Sequence, residues 1–406
     1  GSEMCIRDSI DLDNFKNIND SYGHNNGDRL LKEIGKFFVD FAQKNKKLSA
    51  FRFGSDEFVV LLRDQDQTEI DEICKIIHDK FNTEWQIANS TCYCTCSMGV
   101  AKFPKLDDTV NTVLKRIDLA ISYAKKQGKN CTINYNETIG RILSRQIELE
   151  RLMHKDITNG FAHFTAYYQP IFSSSEKKLV GCEALMRWNP PEFGQVSPAE
   201  FIPMAERLGY INLLGENIIR IAGRQCKKWA DAGLDLRMNI NLSVGQIIEP
   251  DFLDKIDTIF DETGAPPEKI CFEVTESLAI HDMEKMKELL KHITDKGVKI
   301  ALDDFGTGYS SLNCIKEMPL NTIKIDKSFI DDIAKNPDTA VFVKMIVNLS
   351  HDLHIAVCAE GVEEQVQFDI LRDLETDVIQ GYYFGRPMPS DKFEEKFLSE
   401  KLQSVK

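Results

Sequence analysis

Downstream of residue 160 the chain repeats one pattern: a short apolar run closing on a polar residue, with helical periodicity between the runs. Ala166–Gln169 ends in an amide, Leu179–Glu183 in a carboxylate, Leu236–Asn241 in an amide and Ile270–Glu273 in a carboxylate. Val298–Leu302 runs into Asp303 and Asp304, Thr322–Lys324 ends in an ammonium, Ile355–Glu360 in a carboxylate and Val378–Gln380 in an amide. Helix-like stretches such as Pro203–Trp229, Met283–Lys296 and Asp338–Leu353 lie between them. Eight strands alternating with helices predict a closed (β/α)8 barrel, whose chemistry gathers at the C-terminal ends of its strands. Each polar residue stands where that rule wants a functional group.

The pair Asp303-Asp304, followed by Phe305-Gly306-Thr307-Gly308, would alone read as a solvated turn. Side chains alternate along a strand, so neighbouring carboxylates chelate poorly unless the strand is ending and its twist relaxes. There both acids would reach one cavity and each take a hard cation. Glu183, Glu273, Asp303, Asp304 and Glu360 set five negative charges against Lys324, and two divalent cations would neutralise them.

The first third reads differently. Ser49–Phe53 and Phe58–Leu62 are strand-like runs flanking Gly54-Ser55-Asp56-Glu57, a hairpin with a tight tip. Cys92, Cys94, Cys96, Met98 and Val100 share one parity, which predicts a buried strand face and not a thiolate metal site. The histidines show no zinc-like spacing. Glu137–Lys155 places Ile139, Ile142, Leu143, Ile147, Leu149, Leu152 and Met153 among charges, as in an amphipathic connecting helix entered after Asn134-Tyr135-Asn136. Such a helix suits rigid coupling better than a floppy tether.

At 406 residues the chain has room for two domains. Its net charge of −14 argues against nucleic-acid or anionic-membrane binding, and leaves a phosphate substrate in need of metals. Eleven cysteines without paired spacing, no signal peptide and no membrane-spanning apolar run point to a cytoplasmic protein with free thiols.

Glu183-Ala-Leu185 with Arg187-Trp188 resembles the signature of the EAL family of cyclic-di-GMP phosphodiesterases. Tyr168-Gln-Pro170, Asn241-Leu-Ser243, Glu273-Val-Thr-Glu276, Asp303–Leu312, Lys324-Ile-Asp326, Glu360-Gly-Val-Glu363 and Gln380-Gly-Tyr382 follow in family order. The resemblance implies a barrel with an antiparallel first strand and hydrolysis of cyclic di-GMP to linear pGpG using Mg²⁺ or Mn²⁺. It implies Glu183, Asn241, Glu273 and Asp303 as ligands of one metal and Asp304 at a second. Glu360 would stand near the attacking water, supported by Lys324 and Gln380. Gln169, Leu185 and Arg187 would contact substrate, with Arg187 on the loop above the barrel mouth. Glu276 would anchor the Asp303–Leu312 loop, which the family uses in homodimer contact. After Trp188 many members carry His-Pro; here Asn189 precedes Pro190-Pro191.

Asp11–Lys16, Asn19-Asp20, Gly23-His24 and Gly27-Asp28 resemble the opening of GGDEF diguanylate cyclases, a nucleotidyl-cyclase-like α/β sandwich. The resemblance implies metal contacts from Asp11, the Leu12 carbonyl and Asp56 beside Glu57, guanine contacts from Asn19 and Asp28, and phosphate contacts from Lys125 and Lys129. Ser55 replaces the second motif glycine and crowds the backbone's approach to phosphates. An Arg-x-x-Asp inhibitory motif, which would fall at Asn45–Leu48, is absent, and Lys129 stands where cyclases often carry Arg. The chain starts almost inside the first strand, and Gly1-Ser2 resembles a cloning remnant, so an N-terminally truncated domain is expected. The resulting division is a GGDEF domain over 1–136, a helical linker over 137–160 and an EAL domain over 161–406. A metal-dependent phosphodiesterase with a GTP-binding regulatory domain is the expectation. A bifunctional cyclase/phosphodiesterase and a non-catalytic cyclic-di-GMP receptor are the alternatives. Ser55 argues against the former and the full ligand set against the latter.

Overall fold

The computed structural model of the chain describes residues 5–87, 90–103, 109–275, 283–306 and 312–399. The chain divides into two units, Gly1–Met153 and His154–Lys406. In the first, strand β1 (Cys5–Leu12) lies at the centre of a five-stranded sheet. It is followed by β2 (Leu48–Arg52), β3 (Glu57–Arg63), the ribbon β4 (Trp85–Ile87) with β5 (Ser90–Cys92), then β6 (Cys96–Phe103) and β7 (Thr132–Asn134). The sheet order is β2-β3-β1-β6-β7, antiparallel except for β6 with β7. The motif hairpin is therefore real, with β2 and β3 paired in antiparallel register around residues 53–56.

Helices His24–Lys44 and Gln67–Phe81 bury Ile34, Phe38, Ile77 and Phe81 in one core cluster with β1, β3 and β6. Helix Val110–Lys126 packs Ile117 and Ile121 with Ala101 in a second cluster. Cys92, Cys94, Cys96, Met98 and Val100 are all buried, as their parity required. The expected single strand is instead two, β5 and β6, separated at 93–95. Parity survives the break because every one of these side chains still enters the same core.

The amphipathic stretch after β7 is a helix, Glu137–Thr158, whose start is capped by Asn136 Oδ1 accepting from Ile139 N–H at 2.9 Å. Beyond it the eight apolar runs become β8 (Phe164–Ser173), β9 (Leu179–Trp188), β10 (Arg237–Leu242), β11 (Ile270–Thr275), β12 (Lys299–Phe305), β13 (Thr322–Ile325), β14 (Ala356–Ala359) and β15 (Val378–Gln380). They close into a barrel in which β8 runs antiparallel to both β9 and β15 while the other pairs are parallel. The stretch Pro203–Trp229 is not one helix but two, Pro198–Leu208 and Ile211–Asp231. Gly209 at φ 74° ends the first in left-handed conformation. Both helices contribute to buried hydrophobic structure, so the apolar pattern runs on across the break.

Asp156 fixes the entry to the barrel: it is buried, and its carboxylate accepts from His163 Nδ1 and Trp188 Nε1, each at 2.8 Å. Gly381, directly after Gln380, packs backbone on backbone. A Cβ there would stand 2.0 Å from the Val362 carbonyl oxygen and 2.3 Å from its nitrogen. Gly381→Ala should therefore destabilise the barrel by about 1–3 kcal/mol through overpacking. Calorimetric unfolding of the variant checks this; an unchanged barrel transition would contradict the close approach.

Candidate active site

The inward residues of β8 to β15 converge on Lys324. Its side chain is 1% exposed, and Nζ lies 2.6 Å from Glu360 Oε1, 2.7 Å from Glu273 Oε2, 3.2 Å from Asp303 Oδ1 and 3.7 Å from Glu183 Oε2. A buried ammonium needs this many partners to offset its lost hydration. Gln380 Nε2 donates to Glu183 Oε2 at 2.6 Å and to Gln169 Oε1 at 3.2 Å. Asn241 Nδ2 donates to Glu183 Oε1 at 2.6 Å.

These groups titrate differently although they share one site. Burial pushes Glu183 up, but Lys324 and the donors Gln380 and Asn241 outweigh it and hold the carboxyl below its usual range. Glu273 is driven well above that range by burial and then by Glu183. Glu360 is raised to about 7, mainly by burial, with Lys324 opposing. Lys324 is held firmly charged: burial opposes its charge, but Glu183, Glu273, Glu360 and Asp303 together overcome that.

Asp303 and Asp304 do come together beside Glu360, though of the two only Asp303 lines the cavity there, and the strand's end is not the reason. β12 continues to Phe305, and its register with β13 slips between Leu302 and Phe305, so three steps on β12 match two on β13. The extra residue is a bulge, and Asp304 takes φ 55°, a left-handed conformation that Asp tolerates better than most residues. Asp303, Asp304 and Glu360 thereby bring one carboxylate oxygen each within 4.8 Å of one another. Hard oxygen donors at that mutual spacing suit a divalent cation. Glu273 Oε2 is buried and outside hydrogen-bonding geometry despite its ion pair with Lys324, as a waiting ligand atom would be. On both counts the residues fit the expected metals.

A cavity of about 280 Å³ opens over these groups, with Leu185, Lys327 and Tyr382 among its lining. A larger, mostly apolar cavity of about 830 Å³ shares Leu185 and Asn241 and reaches Arg187. Arg187 is not on a loop: β9 extends to Trp188, and Arg187 pairs in register with Thr165. β10 pairs with β9 only as far as Ala184, and beyond it the long antiparallel β8 carries the strand on to Trp188. Gln169 likewise lies inside β8, opposite Glu183, and not at a strand end. It reaches the site because β8 runs backwards. Glu276 and loop residues 307–311 lie outside the described residues.

The sequence reading missed Asn239. It is buried two residues before Asn241, hence on the same strand face, and its Nδ2 donates to Glu273 Oε1 at 2.7 Å. The period-two spacing was the available signal. Lys327 and Tyr382 were also not expected as lining residues; Tyr382 belongs to the Gln380-Gly-Tyr382 motif, and nothing in the local pattern marks Lys327.

In the N-terminal unit, Lys125 Nζ pairs with Asp11 Oδ1 at 2.7 Å, and the Leu12 N–H donates to the Asp56 carbonyl at 3.2 Å. Burial, then Asp11, Asp118 and Asp56, raise Glu57, so these acids are neighbours. Lys129, at φ 65°, reaches Asn14 Oδ1 at 2.7 Å. Asn19 lies against Gly27, where a Cβ would stand 1.9 Å from its Oδ1, and Asp28 is exposed on the same helix. Ser55 Oγ donates to Asp56 Oδ1 at 2.6 Å, engaging the acid expected to bind metal. Asp13, not singled out from sequence, is buried and accepts from Ser97 Oγ at 2.7 Å, Thr95 Oγ1 at 2.9 Å and Asn130 N–H at 3.0 Å, tying three segments together.

No helix among the described residues is long and apolar enough to cross a membrane. The family model of the EAL domain matches residues 151–387, and that of the diguanylate cyclase GGDEF domain matches residues 9–131. The signaling protein YkoW of Bacillus subtilis is 35% identical over 97% of this chain and 49% of its own length. The bifunctional diguanylate cyclase/cyclic di-GMP phosphodiesterase MucR of Pseudomonas aeruginosa is 32% identical over 96% of this chain and 58% of its own. The chain thus spans about half the length of the curated relatives it matches. A solved PaMucR phosphodiesterase in complex with c-di-GMP is 35% identical, covering 60% of this chain and 99% of that one, with a TM-score of 0.57. With the EAL model covering more than half of its residues, this chain belongs to the EAL domain family and carries a GGDEF domain in tandem before it.

Proposed function

We propose that the barrel hydrolyses one phosphodiester bond of cyclic di-GMP, giving linear pGpG, with two Mg²⁺ or Mn²⁺ ions held among Glu183, Asn241, Glu273, Asp303, Asp304 and Glu360. The observation that carries this reading is the convergence of Asp303, Asp304 and Glu360 oxygens beside the buried Lys324. Bound there, two cations would offset the carboxylates' charge, polarise the phosphodiester and acidify a water. Glu360 is the carboxylate we assign to receive that water's proton. Lys324 offsets charge developing on the phosphoryl group. Gln380 orients Glu183, Gln169 accepts from Gln380, and both line the cavity assigned to substrate. Leu185 and Arg187 contact the substrate, and burial lowers the Arg187 pKa without discharging a group of such high intrinsic basicity. In this reading the functional boundaries are 1–136, 137–160 and 161–406.

Incubation with cyclic di-GMP and either metal should yield pGpG, and a chelator should abolish the reaction. Calcium should inhibit it, since its longer and looser coordination suits water activation poorly. Glu183→Ala and Asp303→Asn should each cost more than the roughly 100-fold typical of outer-shell losses. Chromatographic assay showing near-normal turnover in both variants would sink the assignment.

The N-terminal unit, in the same proposal, binds GTP without consuming it and regulates the barrel. Asn19 and Asp28 would read guanine, and Asp11, Asp56, Glu57, Lys125 and Lys129 would surround the phosphates and a metal. Ser55 is the reason no cyclic di-GMP should form from GTP. The helix Glu137–Thr158 contains the point at which the chain divides, so it is the covalent route for coupling. GTP should raise the hydrolysis rate or lower KM by about 5–150-fold. Asp28→Ala should blunt that response while basal hydrolysis persists. Calorimetry without a GTP heat, or binding that leaves hydrolysis unchanged, would make the unit a structural remnant.

We also propose that the barrel forms a homodimer near the loop after Asp304. Light scattering should report a dimer at micromolar concentration; a fully active monomer would refute the idea.

A further inference from the structure

Glu273 is a fully buried carboxylate whose terminal torsion has no strong intrinsic preference, because rotations about sp³–sp² bonds are broad and roughly two-fold. Something must therefore decide which way its oxygens face. Oε2 points to Lys324 at 2.7 Å, and Oε1 receives the Nδ2 of Asn239, also at 2.7 Å. As a metal ligand in the two-metal reading Glu273 is ionised and only accepts hydrogen bonds, so the amide presents its NH₂ to Oε1.

The connection crosses the strand register. Asn239 stands opposite Glu183 on β9 and Cys271 on β11, yet it bonds to Glu273, two residues further along β11. Asn241 stands opposite Glu273 yet bonds to Glu183 on β9. Two amides on one face of β10 thus hold one carboxylate on each flanking strand. A neutral donor is also the right type. A lysine at 239 would add a positive charge to a site whose carboxylates exceed its ammonium by the charge of two divalent cations, and an acid would repel Glu273.

We infer that Asn239 is a positioning residue: it fixes the carboxylate plane of Glu273 so that Oε2 faces Lys324 and the metals. The inference rests on the two-metal reading proposed above. Partners that orient a ligand typically contribute 10–100-fold to metal affinity.

The test is Mn²⁺ binding to the full chain without substrate, followed by electron paramagnetic resonance and calorimetry, with thermal unfolding in metal-free buffer alongside. Asn239→Ala should weaken Mn²⁺ binding by about 10–100-fold. Its hydrolysis should recover as Mn²⁺ is raised, with KM for cyclic di-GMP little changed at saturating metal. Asn239→Asp, equal in shape but turning an acceptor on an acceptor, should bind Mn²⁺ more weakly than wild type and show no better recovery than the alanine variant. Asn239→Ser keeps a short donor and serves if the alanine variant fails to fold; it too should lose affinity, because a hydroxyl is too short to span the gap. Wild-type affinity in whichever folded variant is measured overturns the inference. A lowered melting temperature with unchanged Mn²⁺ affinity overturns it as well, since that is the mark of a merely structural residue. If wild type itself binds no Mn²⁺, the two-metal reading falls and takes the inference with it, an outcome distinct from failure of Asn239 alone.

Discussion

Removing an ammonium from water is costly, and the barrel interior is arranged around doing so once. Lys324 Nζ sits within 3.7 Å of carboxylate oxygens from β9, β11, β12 and the end of β14. Attraction to Lys324 keeps these acids together when their mutual repulsion would otherwise spread them. The opposition is visible in their titration, with Glu183 held low while Glu273 and Glu360 are forced up. One cation does not balance five acids, so the barrel carries a charge deficit at its centre. In the two-metal reading proposed above, cations would fill that deficit and let a strongly acidic protein receive a phosphodiester.

The amides complete this arrangement. Asn239, Asn241 and Gln380 add no charge, yet they donate to carboxylate lone pairs that Lys324 leaves open, and Gln169 braces Gln380 by accepting from its amide. They determine direction where the lysine determines proximity. The bulge in β12 does the same for the backbone. Without the extra residue, Asp303 and Asp304 would point to opposite faces of the strand, and one would enter the layer behind it.

The N-terminal unit shows a comparable but smaller assembly. Asp13 ties the β1 end to residues near β6 and to the segment after the helix Val110–Lys126, and that frame holds Asp11, Asp56 and Lys125 near one another. The hairpin tip is closed by hydrogen bonds from Arg52 to the Gly54 and Ser55 carbonyls, at 3.1 and 2.8 Å. Ser55 is accommodated in the turn while its hydroxyl engages Asp56.

Element type and order were legible from the chain alone, because strand and helix periodicities depend only on which positions are apolar. All eight barrel strands, the connecting helix and the motif hairpin could be read this way, as could the polar residues of the site, although Gln169, Glu183, Asp303 and Asp304 lie within their strands and do not close them. Boundaries were less legible: Pro203–Trp229 looked like one helix because both helices bury apolar faces, and Gly209 alone marks the break. Tertiary structure decided the rest. It set the bulge that brings Asp303 and Asp304 together beside Glu360, extended β9 so that Arg187 lies on a strand, and crossed Asn239 to Glu273 instead of its register partners. A local pattern records which face a residue takes; which distant group it meets there depends on register and closure, and these follow only when all eight strands pack together.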